Sequence, residues 1–563
     1  MTEQSFNLVT EPWIKVIEKS QNQETTISLY ELFENTNKYR ELAGEMKSQD
    51  LAILRLLLAI LTTVYSRVDV DGEPYDWLDF NKETWIAELI DDEIDIRDVQ
   101  VELLQTWGLL YEEGKFTSSV LEYLQKYSDR FSLFGEEPFY QVSARVYDEF
   151  VPDNKNVSTG KGTVSVKQMN RLISESNNSP SVFSPKSSFN KENITLPEFT
   201  RWIITYQNFT GVTDKTKVNS KDKFSVSSGW LYGIDPVVVK GNDMFDTLML
   251  NMVLNPEKET GIIQKPTWEY SSVDYINERI TAHTPENIAE LYTIWSRMLH
   301  VEWEDGVPTI FTAGLPKNDN MNAFVEPMTT WKYDKKEASY RPNTKWIKSI
   351  GKQMWRNFGN YVATENGSDR SEPGIVQWLE LIKEKGELST ERLVELETIG
   401  LVSDGNATSQ SPAAEIHDNM QINAGVLFDN DRLTFWPARI ENTVKLTQDI
   451  GDDFWSFSSN LAKLRGLEDS SSFANKLSSK FYDQLNRPFN DWLSSLKLGQ
   501  EPDEEILKWK KTLKSIAFDE ASQVMNHSTP KDFFGRKNDK DTKIRNIFTL
   551  YNQFQIAVNK DLA

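Results

Sequence analysis

The hydrophobic pattern changes character along the chain. Residues 1–440 mix short strand-like runs with helices: FNLVTEPWIKVI at 6–17 begins like a strand, and TTISLYELF at 25–33 leads into a helix. From about residue 444, apolar residues recur at helical spacing in four successive stretches. Four amphipathic helices with short links predict a C-terminal four-helix bundle. The predicted fold class is therefore α+β, with a large mixed α/β N-terminal domain over 1–440 and the bundle over 441–563.

The longest apolar run is LAILRLLLAILTTV, from Leu51 to Val64. Arg55 interrupts this run, and it is too short to cross a bilayer core of about 30 Å. Its leucines recur every three or four residues, which is typical of an amphipathic helix. We therefore expect a buried core helix and no membrane insertion.

A polar tract occupies residues 154–228 and is rich in Ser, Asn, Lys and Gly. Within it only ITLPEFTRWIITYQNF, at 194–209, has helical periodicity. Turn-forming residues dominate the remainder, so the tract predicts two long loops on either side of one helix. Loops of this length are usually functional or disordered.

Composition excludes several kinds of chemistry. None of the 563 residues is cysteine, which rules out disulfides, thiolate nucleophiles and cysteine-ligated zinc and fits a reducing cytoplasm. The four histidines form no close metal-ligand spacing. We therefore expect a protein that uses no metal or other cofactor. The N-terminal sequence lacks the basic start and apolar stretch of a secretory signal, so we expect the protein to be cytoplasmic.

The net charge is −23, which argues against indiscriminate binding of nucleic acid. Cations are nevertheless concentrated locally: eight Lys and Arg residues lie from Lys332 to Arg356, opposed by only two acids. Five Trp and Tyr residues, from Trp331 to Trp355, interleave with them. This segment favours phosphate contact. A second basic cluster lies in the polar tract, at Lys215, Lys217, Lys221 and Lys223.

Two other functions are consistent with the residues. Clustered carboxylates could form a metal-dependent nuclease site of the two-metal kind; the candidates are Asp429, Asp431, Asp452 and Asp453. The acidic surface could instead make the chain a protein-only scaffold that binds basic partners. Among 85 acidic residues such neighbours arise freely, so we expect no enzymatic activity.

Several segments, in their order along the chain, resemble the large subunit of the type I-E CRISPR Cascade surveillance complex, the CasA family. These segments are FNLVTEPWIKV, SLYELF, YRELAGEMKSQDLAILRLLLAIL, FSLFGEEPFYQV at 131–142 and GWLYGIDPVVVKGNDMFDTLMLNMVL at 229–254. The resemblance implies a non-catalytic subunit that recognises a motif flanking the target in double-stranded DNA. It also implies nucleation of duplex opening and R-loop formation, and docking of a separate helicase-nuclease. The implied partners are CRISPR RNA, the other Cascade subunits, target DNA and that effector.

By position, the resemblance places the anchor to the RNA handle at Phe183, within NSPSVFSPKSSF. A glycine-rich loop that approaches the DNA minor groove would fall near Thr210–Lys223. Here the sequence departs from the family pattern, because only Gly211 remains among lysines and hydroxyl residues. That departure suggests contact through side chains, with Lys215 and Lys217 as candidates.

The same carry-over gives two further elements. A strand lysine that reads the minor groove would be Lys332, Lys335 or Lys336 in WKYDKK. A wedge inserted under the first base pair would be Gln421 or Asn423, in DNMQINAGV. The turn-forming neighbours of these amides, with a strand-like VLFDNDRLTFW after them, predict that they lie at the tip of a short hairpin. A polar wedge costs a few kcal/mol of unstacking, which contacts in the groove can offset.

Overall fold

The structure is a computed structural model that describes residues 5–90, 94–172, 191–211, 215–281, 284–364, 372–403, 412–537 and 544–563. It divides into two compact units, each discontinuous in sequence. Unit 1 contains residues 1–350, 373–382 and 397–417, and unit 2 contains 351–372, 383–396 and 418–563. The division at residue 440 stays a prediction.

The α-helices of the described residues are α1 Leu29–Glu34, α2 Lys47–Tyr65, α3 Ile96–Glu113, α4 Ser118–Lys126, α5 Ala144–Phe150, α6 Val166–Met169, α7 Leu196–Phe209, α8 Met244–Asn251, α9 Ser272–Ile280, α10 Ile288–Thr293, α11 Phe358–Tyr361, α12 Gly374–Glu384, α13 Ala424–Leu427, α14 Trp436–Arg465, α15 Ser470–Ser495, α16 Pro502–Asn526, α17 Pro530–Phe534 and α18 Ile547–Asp561. The strands are β1 Ile14–Glu18, β2 Glu24–Ile27, β3 Tyr39–Leu42, β4 Leu78–Asn81, β5 Ile86–Leu89, β6 Val237–Lys240, β7 Arg297–Glu304, β8 Val307–Gly314, β9 Trp331–Asp334, β10 Ser339–Pro342, β11 Leu393–Ser403, β12 Pro412–Asn423, β13 Arg536–Lys537 and β14 Ile544–Arg545.

The strands form small sheets. β1 is central in the order β2-β1-β3, β11 is central in β12-β11-β6, and the remaining strands pair as two-stranded hairpins. The longest of these hairpins joins β7 to β8 in an unbroken antiparallel register from Arg297↔Gly314 to Glu304↔Val307. Strands this short gain little from their own pairing, so packing against the helices must stabilise the sheets.

Helix α2 forms the centre of unit 1. By length and composition it could cross a membrane, but its apolar span is entirely buried within the fold. It packs against α7 and α10, and every residue from Ser48 to Tyr65 is buried. The predicted core helix is confirmed, with Arg55 accommodated by a buried partner that is described below.

The helix predicted within the polar tract is also confirmed, as α7. The hydroxyl of Thr195 accepts a hydrogen bond from the backbone N–H of Glu198, and Pro197 occupies the first turn, where its missing N–H costs nothing. Further along, the chain returns so close to the end of α7 that a Cβ on Gly229 would lie 2.2 Å from the carbonyl oxygen of Asn208. Only glycine fits there, which fixes how the second loop ends.

Unit 2 is built on four long helices, α14, α15, α16 and α18. Their apolar stripes meet in an aromatic core, where the ring of Phe454 lies 4.9 Å from Phe481 and 6.0 Å from Phe554. Helix α16 begins at Pro502, and α15 continues through Pro488. The α+β fold class, with a mixed region followed by a helical region, is confirmed.

Candidate nucleic-acid interface

The basic segment that begins at Lys332 folds as the β9–β10 hairpin. Its register runs from Trp331↔Pro342 to Asp334↔Ser339, which leaves Lys335–Ala338 as the tip. Successive side chains of a strand point to opposite faces. Trp331, Tyr333 and Tyr340 therefore share one face, where the rings of Trp331 and Tyr340 contact Phe324 at 4.9 and 5.6 Å. Aromatic packing on this face gives the hairpin a fixed orientation.

The opposite face of the hairpin carries charge. Lys332 is the cross-strand partner of Arg341, whose guanidinium lies 3.5 Å from a carboxylate oxygen of Asp334 and 3.9 Å from one of Glu337. Lys332, and Lys335 and Lys336 at the tip, are all exposed. Within the described residues their ammonium groups have no hydrogen-bond or ion-pair partner. Three solvated cations on one rigid hairpin can therefore contact phosphate without first breaking an ion pair.

Two other cations of the basic segment, Lys345 and Arg356, are engaged by the protein itself. The Nζ atom of Lys345 lies 2.8 Å from a carboxylate oxygen of buried Asp235 and donates to the hydroxyl of Thr398. Within unit 2, the guanidinium of Arg356 lies 3.4 Å from the ring centroid of Tyr482, and burial lowers its pKa. Among the described side chains of this segment, the exposed lysines are therefore grouped on the hairpin, apart from Lys352 in unit 2.

The aromatic residues of the basic segment likewise divide into buried and exposed ones. Trp331 is buried, and in unit 2 Trp355 is buried against Phe489 at 4.2 Å. The side chains of Tyr333 and Trp346 are 45% and 67% exposed. Most of the aromatic residues in this segment are thus structural, and two remain accessible.

The second basic cluster lies in a segment that we call the lysine loop, residues 215–228. Backbone hydrogen bonds attach it to the end of β8: the N–H of Val218 donates to Gly314, and the N–H of Lys317 donates to Ser225. Lys215 and Lys217 are exposed. The Nζ of Lys217 donates to the carbonyl of Phe224 at 2.9 Å, which closes the loop on itself.

Two further residues were predicted in the same polar tract, Gly211 and Phe183. Gly211 is buried at the end of α7, where its carbonyl accepts from the hydroxyl of Thr210. It therefore presents no bare backbone to a groove, and contact by this loop depends on its lysines. Phe183, the predicted RNA anchor, lies outside the described residues.

The predicted hairpin tip at Gln421 and Asn423 is wrong. Both residues lie at the end of strand β12, which passes directly into helix α13, and the following segment forms turns and α14 rather than a strand. Asn423 is buried, and its side-chain Oδ1 caps α13 by accepting from the N–H of Gly425 at 3.0 Å. Gln421 is half-buried and donates to Glu395 at 2.8 Å. Of the two amides, only that of Gln421 could be released without losing a helix cap.

The four candidate carboxylates do not form one site. Asp429 is buried at the start of α14, where one oxygen accepts from the N–H of Trp436 at 3.0 Å, and Asp431 accepts from the N–H of Leu433. Asp452 and Asp453 lie four to five turns along α14 from its first residue, Trp436, which is roughly 24 Å at a rise of 1.5 Å per residue. The metals of a two-metal site lie only about 4 Å apart. These residues therefore cannot share a metal pair.

The described histidines have structural partners. The Nδ1 atoms of His300 and His527 lie 2.9 Å from the carbonyls of Val142 and Gln523. His417 lies 3.5 Å from Glu397, and the hydrogen bond between them raises the pKa of His417. Within the described residues, no group of three or more His, Asp or Glu side chains could hold a metal ion.

Sequence reasoning missed the hairpin as an element. The signal was present, because Trp331 and Tyr333 alternate with charged residues and a further charged run leads into the turn Lys335–Ala338. It also missed Glu326, which precedes the hairpin and is wholly buried. A single acid in a loop gives no sequence signal for burial, since its partners lie far away in the chain.

The structure thus combines an α+β fold with two exposed basic elements among the described residues, the β9–β10 hairpin and the lysine loop, in a chain of net charge −23. Residues 7–519 match the family described as CRISPR-associated protein Cse1 (CRISPR_cse1). The match spans most of the chain, and the chain belongs to this family.

Individual relatives agree with this assignment. The CRISPR-associated protein CasA/Cse1 of Thermus thermophilus is 23% identical over 273 residues, which cover 47% of this chain and 42% of that protein. The match thus spans less than half the length of that curated relative. The crystal structure of Thermobifida fusca Cse1 aligns over 99% of this chain and 98% of its own, with a TM-score of 0.72 and 19% identity. A chain of a CRISPR RNA-guided surveillance complex aligns over 99% of this chain and 100% of its own, with a TM-score of 0.61 and 13% identity. At these identities the structural likeness shows the fold.

Proposed function

We propose that this chain is the non-catalytic large subunit of a type I-E CRISPR RNA-guided surveillance complex in the cytoplasm. In this role it binds CRISPR RNA and the other subunits, recognises the flanking motif of double-stranded DNA through the minor groove, and nucleates R-loop formation. It then docks the separate helicase-nuclease. Membership of the Cse1 family supports the assembly, as does the likeness to a chain of a surveillance complex.

The observation that carries the DNA-reading part is the β9–β10 hairpin. Lys332, Lys335 and Lys336 are exposed on it without partners among the described residues, while aromatic packing fixes its orientation. Lysine can enter the minor groove, whose pattern of donors and acceptors permits only loose discrimination. Such looseness suits a flank reader, because RNA pairing supplies the sequence specificity of the target.

The lysine loop is the second proposed contact, through Lys215 and Lys217. Gly211, which is buried, would then make no backbone contact with the groove. For the wedge we favour Gln421, which would have to leave Glu395 to enter the duplex. Phe183 remains the proposed anchor to the RNA handle.

Purification of the tagged chain from its native host tests the assembly. We expect a short CRISPR RNA and the other subunits to co-purify at fixed stoichiometry. The chain alone, incubated with duplex DNA and Mg²⁺, is expected to leave the DNA intact. Recovery of the chain without RNA, or Mg²⁺-dependent cleavage by it, would contradict the proposal.

A further inference from the structure

In unit 1 the buried carboxylate of Glu326 links the segments that carry the lysine loop and the β9–β10 hairpin, beside backbone hydrogen bonds such as that from the N–H of Val237 to Met328. Glu326 is 0% exposed. Its Oε1 accepts from the backbone N–H of Met328 and from Nη1 of Arg55, both at 3.0 Å. Its Oε2 accepts from the indole Nε1 of Trp230 at 2.6 Å and lies 2.9 Å from the same Arg55 nitrogen. Three distant parts of the chain thus meet at one side chain.

Each partner belongs to a different element. Met328 lies three residues before Trp331, where β9 begins, and Trp230 comes directly after the lysine loop and Gly229. Arg55 lies on the central helix α2. We propose that Glu326 is the positioning residue that holds the lysine loop and the basic hairpin in a fixed relation to each other. This inference rests on the proposed DNA-reading function of both elements.

The chemistry requires a carboxylate. Two oxygens can accept hydrogen bonds from both chain segments at once, whereas an amide offers one acceptor oxygen and one donor nitrogen. The charge also compensates Arg55, which is 0% exposed and stacks on Tyr292 at 4.1 Å. Glu326→Gln would leave that guanidinium buried without its counter-charge, so this variant would damage the fold as well as the link.

Trp230→Phe separates the two effects. It removes the indole N–H together with part of the buried ring system, but it keeps the Arg55–Glu326 ion pair. A second Trp→Phe variant in the same unit controls for the lost packing. In the free chain we expect amide hydrogen exchange at residues 225–231 to accelerate about ten- to hundredfold, which corresponds to one hydrogen bond to a charged acceptor. Exchange in α2 should stay at the wild-type rate.

A matched control is available in the same unit. The indole of Trp268 is also buried, and it donates to the hydroxyl of Tyr123 at 2.8 Å rather than to Glu326. Trp268→Phe should therefore leave exchange in the lysine loop unchanged. Acceleration by both variants would attribute the effect to general destabilisation and overturn the inference.

Duplex binding by the reconstituted complex gives the functional readout. Trp230→Phe should weaken binding about fivefold at 0.1 M salt, part of the roughly eightfold that one phosphate contact contributes there. In a Lys215→Ala/Lys217→Ala background the same change should have no further effect, because the loop no longer contacts DNA. A purely structural role would instead give the same loss in both backgrounds.

The outcomes distinguish the two proposals. If the double lysine variant binds DNA with wild-type affinity and salt dependence, the proposed role of the loop fails. If that variant is defective but Trp230→Phe leaves loop exchange or duplex binding unchanged, only the positioning role of Glu326 is overturned. Accelerated exchange together with a loss of binding that depends on the lysines supports both.

Discussion

Replacing Lys332, Lys335 and Lys336 together with alanine tests the proposed DNA interface at the three exposed lysines of the β9–β10 hairpin. The three ammonium groups have no partners among the described residues, so their removal breaks no ion pair. Ala is acceptable at the tip and on the solvent face of β9, and Trp331 and Tyr340 continue to pack on Phe324. We therefore expect the fold to be retained and the effect to be electrostatic.

The magnitude follows from counterion release. Each phosphate neutralised contributes about 0.9 to the slope of log K against log salt, which at 0.1 M corresponds to roughly eightfold in affinity. If two or three of the lysines contact phosphate, the slope should fall by about 1.8 to 2.7 and the affinity by about 60- to 500-fold. A single contact would give a change of only about 0.9 in slope.

The assay is duplex binding by the reconstituted complex at several salt concentrations, with a target that carries the native flank. The control variant replaces Lys38, Lys82 and Lys126, three exposed lysines of unit 1, of which Lys82 also lies in a hairpin turn, between β4 and β5. It changes the net charge by the same amount. Equal slopes for the two variants would refute the reasoning, because the effect would then come from overall charge.

Three further predictions concern other regions. Gln421→Ala should leave duplex binding nearly unchanged but slow unwinding next to the flank, and a target with pre-opened base pairs should restore the rate. As a control, Asn419→Ala removes the other side-chain hydrogen bond to Glu395 and should unwind DNA normally. Burial and nearby Asp561 raise the pKa of Asp453 to about 6, so the folded state loses stability as pH rises from about 4 to 6. In urea unfolding, Asp453→Asn should therefore stabilise the protein by about 1 kcal/mol at pH 8 and have no such effect at pH 3. Phe183→Ala should leave the thermal unfolding temperature unchanged and reduce incorporation into the RNA-bearing complex; full incorporation would show that the anchor lies elsewhere.

The helices were predictable from sequence because their signals are local. Apolar spacing within α2 and the proline at the start of α16 each lie inside one element, and no distant contact alters them. The charge imbalance around Lys332 was equally visible. What the sequence could not give was the distribution of that charge, since Lys345 is neutralised by Asp235, more than a hundred residues earlier in the chain.

The prediction for Gln421 and Asn423 failed for a related reason. Turn-forming residues on either side of them indicated a tip, but pairing of β12 with β11 extends the strand through both positions. Strand pairing depends on non-local contacts and overrides weak local turn preferences. Burial of Glu326 is the extreme case, because its role depends on Arg55 and Trp230, neither of which is near it in sequence.

The central claim is that this chain reads the flanking motif for the complex. The most direct measurement compares the affinities of two targets, one with the native flank and one with the flank scrambled, for the complex assembled with and without this chain. With the chain present, we predict tighter binding of the native flank by at least about tenfold, equivalent to about 1.4 kcal/mol; without it, the two affinities should be equal. A flank preference that persists after the chain is omitted, or none when it is present, would contradict the account.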